Sequence, residues 1–182
     1  MMELYFMLEE PSMKVLLDEL LPRIIQEEIQ YYLIKHEGKQ DLEKSLPRKL
    51  RALPQNARFI VLRDQDSEDC FELKARLSSL CATAGRDDTV IRIVCHELES
   101  WFLGDLQAVE LAYSKGGLAR LQGQRKYREP DKLNNAAQEL KKLVPAYQKI
   151  SGARLISRYL DVHNNRSISF RVFIEGVLKA IA

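Results

Sequence analysis

Residues 59–70 read FIVLRDQDSEDC, and the fold follows from that stretch outward. Phe59 to Leu62 is an apolar run with no alternation, the pattern of a strand covered on both faces, as in the middle of a parallel sheet. Acidic residues follow at once. From Cys70 to Ala84, Leu73, Leu77, Leu80 and Cys81 recur at helical spacing and Gly85 ends the helix, after which Thr89 to Cys95 (TVIRIVC) is another β-branched run. Upstream, Leu4 to Leu8 reads as a strand, and Pro11 opens a helix carrying Leu16, Leu17, Leu20, Leu21 and Ile24. Ile29 to Ile34 (IQYYLI) is a second strand, and Asp41 to Leu53 a short or kinked helix interrupted at Pro47. The order β-α-β-α-β-α-β predicts an α/β fold with a mostly parallel sheet between helices and a site outside the carboxyl ends of the strands.

After Cys95 the strand signals stop. Glu97–Tyr113, Pro130–Leu143, Ile150–Leu160 and Arg166–Ile181 read as helices, and Ser114–Glu129 as a glycine-containing basic loop. The expectation is an α/β core over 1–96 and a C-terminal helical extension over 97–182, packed as one structural domain.

The composition excludes several classes. With 182 residues and 46% apolar side chains the chain can bury one core, and 28 basic against 26 acidic residues do not make a nucleic-acid coat. Three cysteines without Cys-x-x-Cys spacing argue against a disulfide framework or structural zinc. No apolar stretch approaches the ~20 residues that span a bilayer, and Met1 to Glu10 lacks a leader pattern, so the expectation is a cytoplasmic protein without a membrane partner.

In an extended backbone, side chains at i and i+2 point the same way with Cα atoms ~6.5 Å apart, so Asp64 and Asp66 could address one hard cation between them. Asp69 with Glu72 fits a capping box, which leaves Asp64 unexplained. Glu9 and Glu10 end the first strand in the same manner. Glu10 can be read as a carboxylate at a helix N-terminus, whereas Glu9 is harder to dismiss. Glu97 and Glu99, in HELESWFLGD, follow the fourth strand and can equally be a solvated first helical turn. Strands ending in carboxylates suit Mg²⁺ or Mn²⁺, which take oxygen ligands and can activate a water beside a phosphodiester.

A glutamate after the first strand followed two β-α units later by Asp-x-Asp resembles the Toprim domain of topoisomerases, primases and the overcoming-lysogenization-defect nucleases. LEEPSMKVLLDELLPRI, FIVLRDQDSEDC, RIVCHELESWFLGD and SGARLISRYLD with NNRSISF resemble a bacterial Toprim-like domain-of-unknown-function family over nearly the whole chain. The resemblance implies Glu9 as general acid/base or metal ligand and Asp64 with Asp66 as the metal pair. That family usually has glycine after its glutamate, where this chain has Glu10. It also implies relatives in anti-phage systems encoded beside an ATPase. This chain has no Gly-x-x-x-x-Gly-Lys-Ser/Thr stretch, so ATP hydrolysis would fall to a separate partner.

For nucleic acid, Lys115, Arg120, Arg125, Lys126 and Arg128 with Tyr127 could hold phosphates and stack on a base, a solvated loop being the plainer reading. Arg154, Arg158, Arg166 and Arg171 form a second candidate clamp. His36, His96 and His163 are scattered and read as structural. The leading expectation is a divalent-metal-dependent nuclease acting on DNA or RNA. The alternatives are a non-catalytic Toprim-like module for a partner ATPase, and a haloacid-dehalogenase-like phosphatase using Asp64. Oligomeric state is open, a homo-oligomer included.

Overall fold

The computed structural model describes residues 2–182. Four strands, β1 (Glu3–Leu8), β2 (Gln30–Lys35), β3 (Arg58–Asp64) and β4 (Val90–Val94), form one sheet in the order β2-β1-β3-β4, every neighbouring pair parallel. The mostly parallel sheet expected from the alternating pattern is therefore fully parallel. Helices α1 (Pro11–Leu20), α2 (Lys39–Ala52) and α3 (Cys70–Ala82) connect the strands.

Alternation along the two central strands divides the core. Leu4, Phe6 and Leu8 of β1 with Ile60 and Leu62 of β3 face a large cluster that includes α1 and the C-terminal helices. Tyr5, Met7, Phe59 and Val61 face a smaller cluster with Leu42, Leu46 and Leu50 of α2 and Leu73 and Leu77 of α3. Both faces are covered, as an unalternating FIVL run requires.

The second half is helical: α4 (Glu99–Leu103), α5 (Leu106–Tyr113), a one-turn α6 (Arg125–Arg128), α7 (Ala136–Leu143), α8 (Lys149–Ser157) and α9 (Ile168–Ile181). α8 packs on α1, and α9 packs on β4. Trp101, fully buried, donates its indole N–H to Ser169 Oγ at 2.9 Å and lies against Phe170 and Phe173, which ties α4 to α9.

Three expectations are corrected. The helix predicted over Glu97–Tyr113 is split at Gly104, where a Cβ would strike Asn165 and come within 2.8 Å of the Ser167 backbone nitrogen; Asp105 then starts α5 by accepting the Ala108 N–H at 3.0 Å. Asp41–Leu53 is neither short nor broken, since α2 runs through Pro47. The expected basic loop Ser114–Glu129 is instead folded, with a 3-10 turn at Ala119–Gly123 and then α6, because Leu118 and Tyr127 enter the core. Tyr127 is thus a packing residue and offers no stacking face.

Candidate active site

The carboxylates collect where β1, β3 and β4 end. Glu9 continues the β1–β3 ladder, its N–H donating to Leu62 O at 3.1 Å. A regular parallel ladder would next give the Asp64 N–H to the Glu9 carbonyl. That carbonyl instead accepts from Gly38, which turns after β2 with φ 104°, and the Glu9 side chain takes over: Asp64 N–H donates to Glu9 Oε2 at 2.8 Å. The Glu9 carboxylate is therefore fixed against the end of β3.

Asp64 has the parity of Ile60 and Leu62 and points to the α1 side of the sheet. Its carboxyl is buried, and Oδ1 has no hydrogen-bond partner. Burial first, then the charges of Glu10, Glu9 and Glu99, push its pKa well above the usual carboxylate value. Burial also raises Glu9, outweighing the hydrogen bond from Asp64 and the Arg63 charge, and it raises Glu99 in spite of the Tyr147 hydroxyl that donates to Glu99 Oε1 at 2.8 Å. Two cationic and polar groups from α8 and the turn before it face this cluster. Lys149 Nζ donates to Glu10 Oε2 at 2.6 Å, and although burial alone would lower its pKa, Glu10, Glu99 and Asp64 together raise it.

Asp66 stands elsewhere. Asp66 has φ 54°, so the strand's alternation is broken between the two aspartates, and Asp66 pairs with Lys39 at 3.0 Å on the α2 side, with Arg63 at 4.0 Å. The i, i+2 geometry expected from an extended Asp64-Gln65-Asp66 does not form. Asp66 N–H donates to His96 O at 2.9 Å, and His96 is also left-handed, φ 58°. Two facing non-glycine residues in that region are costly, of order 1 kcal/mol each or more, and such conformations cluster at functional sites. They border a hollow of about 530 Å³ shared with Ser67, Glu97 and Asn134. Glu97 reaches the N-terminus of α7, where Oε2 accepts the Ala137 N–H at 2.9 Å.

Arg63, fully buried with the parity of Phe59 and Val61, holds the turn from the other face. It donates to the Asp64 carbonyl, to Glu68, and to Glu43 at 3.2 Å, while Arg76 bridges the same two glutamates. The sequence alone assigns no role to Arg63 or Lys149. Arg63 could have been found as a charge inside an apolar strand, whereas Lys149 meets Glu10 across 139 residues and has no local signal. Among the described residues, no three His, Cys, Asp or Glu side chains are so oriented that they could hold an ion together.

The structure scatters the candidate phosphate contacts. Arg120 and Arg125 are exposed, Lys115 donates to Leu143 O, Lys126 pairs with the buried Glu139, and Arg158 pairs with Glu19 at 3.2 Å. Arg128 and Arg166, far apart in sequence, line one pocket of about 190 Å³ with Lys132 and Arg171.

The family model described as "Domain of unknown function (DUF4276)" matches residues 8–178. The chain belongs to this family. No curated protein matches it. The DUF4276 fold is similar to the C-terminal region of the Burkholderia pseudomallei OLD protein, with TM-score 0.63 and 16% identity over 98% of each chain. It is also similar to the C-terminal region of the Xanthomonas campestris pv. campestris OLD protein, with TM-score 0.54 and 12% identity over 98% of this chain and 95% of that one. At these identities the likeness shows a shared fold and assigns no residue.

Proposed function

We propose that the chain is a Toprim-like nuclease domain that cleaves nucleic-acid phosphodiesters with Mg²⁺ or Mn²⁺ as cofactor. The observation that carries this reading is Asp64 Oδ1, a buried carboxylate oxygen without a hydrogen bond, at the end of a central strand and crowded by Glu9, Glu10 and Glu99. A buried carboxylate among like charges is tolerated only when a proton or a cation neutralises it. The donors are all oxygen, the set that hard divalent ions prefer.

On this reading Asp64 holds the ion with Glu9, and with Glu10 and Glu99 as neighbouring carboxylates. When bound, the ion supplies charge for the phosphoryl oxygens and lowers the pKa of a water. Glu9 Oε2 is engaged by the Asp64 N–H, which leaves Oε1 to take up or return a proton, and its raised proton affinity suits that task. Lys149 directs positive charge into the same space, Arg63 fixes the turn, and Asp66, Glu97 and Ser67 border the adjoining hollow. Arg128 and Arg166, with the exposed Arg120 and Arg125, offer phosphate contacts for the strand. We infer further that the domain serves as an effector in an anti-phage system together with a separately encoded ATPase, a reading supported by the fold-level likeness to the C-terminal region of OLD proteins.

The test is a cleavage assay on labelled DNA and RNA with Mg²⁺, Mn²⁺ or EDTA. Metal-dependent cutting by wild type, lost in folded Asp64→Asn and Glu9→Gln, supports the nuclease. Phosphate release from a small ester without strand cutting points to the phosphatase alternative, and a folded protein that does neither is the binding module.

A further inference from the structure

A second site lies at the opposite end of the sheet, where β3 and β4 begin. A groove of about 490 Å³ runs between α3 and α9 across the start of the edge strand β4, lined by Arg58, Lys74, Ser78, Asp88, Arg92 and Lys179 among others. Four cations face it against one lining carboxylate. Among the described residues, none of the four has a carboxylate oxygen within 4.0 Å.

The two arginines are held by backbone. Arg92 donates through Nε to Val172 O at 3.0 Å and through one terminal nitrogen to Ile91 O at 2.9 Å. It lies flat against α9 at Gly176, where any side chain would collide with the guanidinium. Arg58 donates to Ala180 O at the end of α9. Each guanidinium has five N–H donors, so these anchors leave donors over. The anchoring also fixes the guanidinium planes before any ligand arrives, which lowers the entropic cost of binding. Arg92 has a further effect: by covering Ile91 O it blocks part of the open edge of β4, which disfavours an added peptide strand there. The remaining donors with Lys74 and Lys179 suit a compact polyanion. The cavity is within the range of small-ligand sites and is flanked by α3 and α9.

We propose that this groove binds a small phosphorylated ligand of nucleotide size, recognised through its phosphates by Arg58, Arg92, Lys74 and Lys179, at a site separate from the carboxylate cluster. The site is independent of the nuclease reading. Its test therefore uses the whole 182-residue chain in EDTA, so that no metal bridges the ligand to the carboxylates.

Pyrophosphate, ATP and a short single-stranded oligonucleotide are titrated at constant ionic strength by calorimetry and thermal unfolding, with sulfate-matched salt as control, into wild type, Lys74→Glu/Lys179→Glu, Gly176→Leu and Asp64→Asn. Lys74 and Lys179 are exposed, so the double variant is expected to fold. The proposal expects a saturable response to pyrophosphate or ATP in wild type and Asp64→Asn, weakened at least tenfold in the double variant. Gly176→Leu, if folded, should weaken it as well by displacing Arg92. No saturable binding of either probe overturns the proposal. So does binding unchanged in the double variant, and so does a response confined to a short single-stranded oligonucleotide, which would make the groove a nucleic-acid contact.

Discussion

Replacing Asp64 by asparagine should make the metal-free protein more stable above neutral pH. In wild type the Asp64 carboxylate is buried, lacks a partner at Oδ1, and faces Glu9, Glu10 and Glu99. Leaving a buried polar group unsatisfied costs about 1–3 kcal/mol, and more for a charge. Asparagine keeps the shape, removes the charge and supplies an N–H₂ toward the neighbouring carboxylates, so a gain of about 1–3 kcal/mol is expected. For a domain of this size that is a rise of about 2–12 °C in Tm. The sign of the pH dependence follows from the direction of the shift. Because folding raises the Asp64 pKa, the stability that the protonated group contributes is complete below its unfolded value and is lost as pH rises through the folded one. The gain in Asp64→Asn should therefore be larger at about pH 8 than at about pH 4, in the ordinary carboxylate range. Thermal unfolding in EDTA at both pH values measures it. A variant less stable than wild type at the higher pH, or a gain independent of pH, would refute the reasoning.

Lys149→Met removes the cation facing Glu10, Asp64 and Glu99. Because the side chain is half exposed, the loss of stability should stay below about 1 kcal/mol at neutral pH, while Mn²⁺, no longer repelled by the ammonium, should bind more tightly in calorimetry. Arg63→Met leaves Glu43 and Glu68 facing a buried gap. Those glutamates keep Arg76 and some solvent, so the denaturant midpoint should fall by an amount equivalent to about 2–3 kcal/mol rather than the full cost of a broken buried pair. Gly104→Ala drives a methyl into Asn165 and the Ser167 backbone, and chemical denaturation should register a loss of about 1–3 kcal/mol.

Much of the architecture was legible because it rests on local patterns. FIVL without alternation requires two covered faces, and four β-α units in sequence require a parallel sheet, which is what the central position of β3 beside β1 reflects. Glu9 and Asp64 can be read as carboxylates at strand ends because strand ends are visible in sequence. Their companionship with Asp66 does not form because it requires extended backbone through Gln65, and the left-handed turn at Asp66 is stabilised by His96, in the turn just past β4, rather than by a glycine that sequence would reveal. Lys149 and Tyr147 were out of reach for a different reason: their role depends on α8 docking against α1, a tertiary event with no periodic signature. The basic segment 114–129 reads as a loop on its charge, although Leu118 and Tyr127 supply the apolar anchors that fold it.

The most direct measurement is calorimetric titration of Mn²⁺ into wild type and Asp64→Asn at neutral pH, each first shown to be folded. The account predicts saturable binding in wild type and its loss in Asp64→Asn. Equal binding in both proteins, or none in wild type, would contradict it.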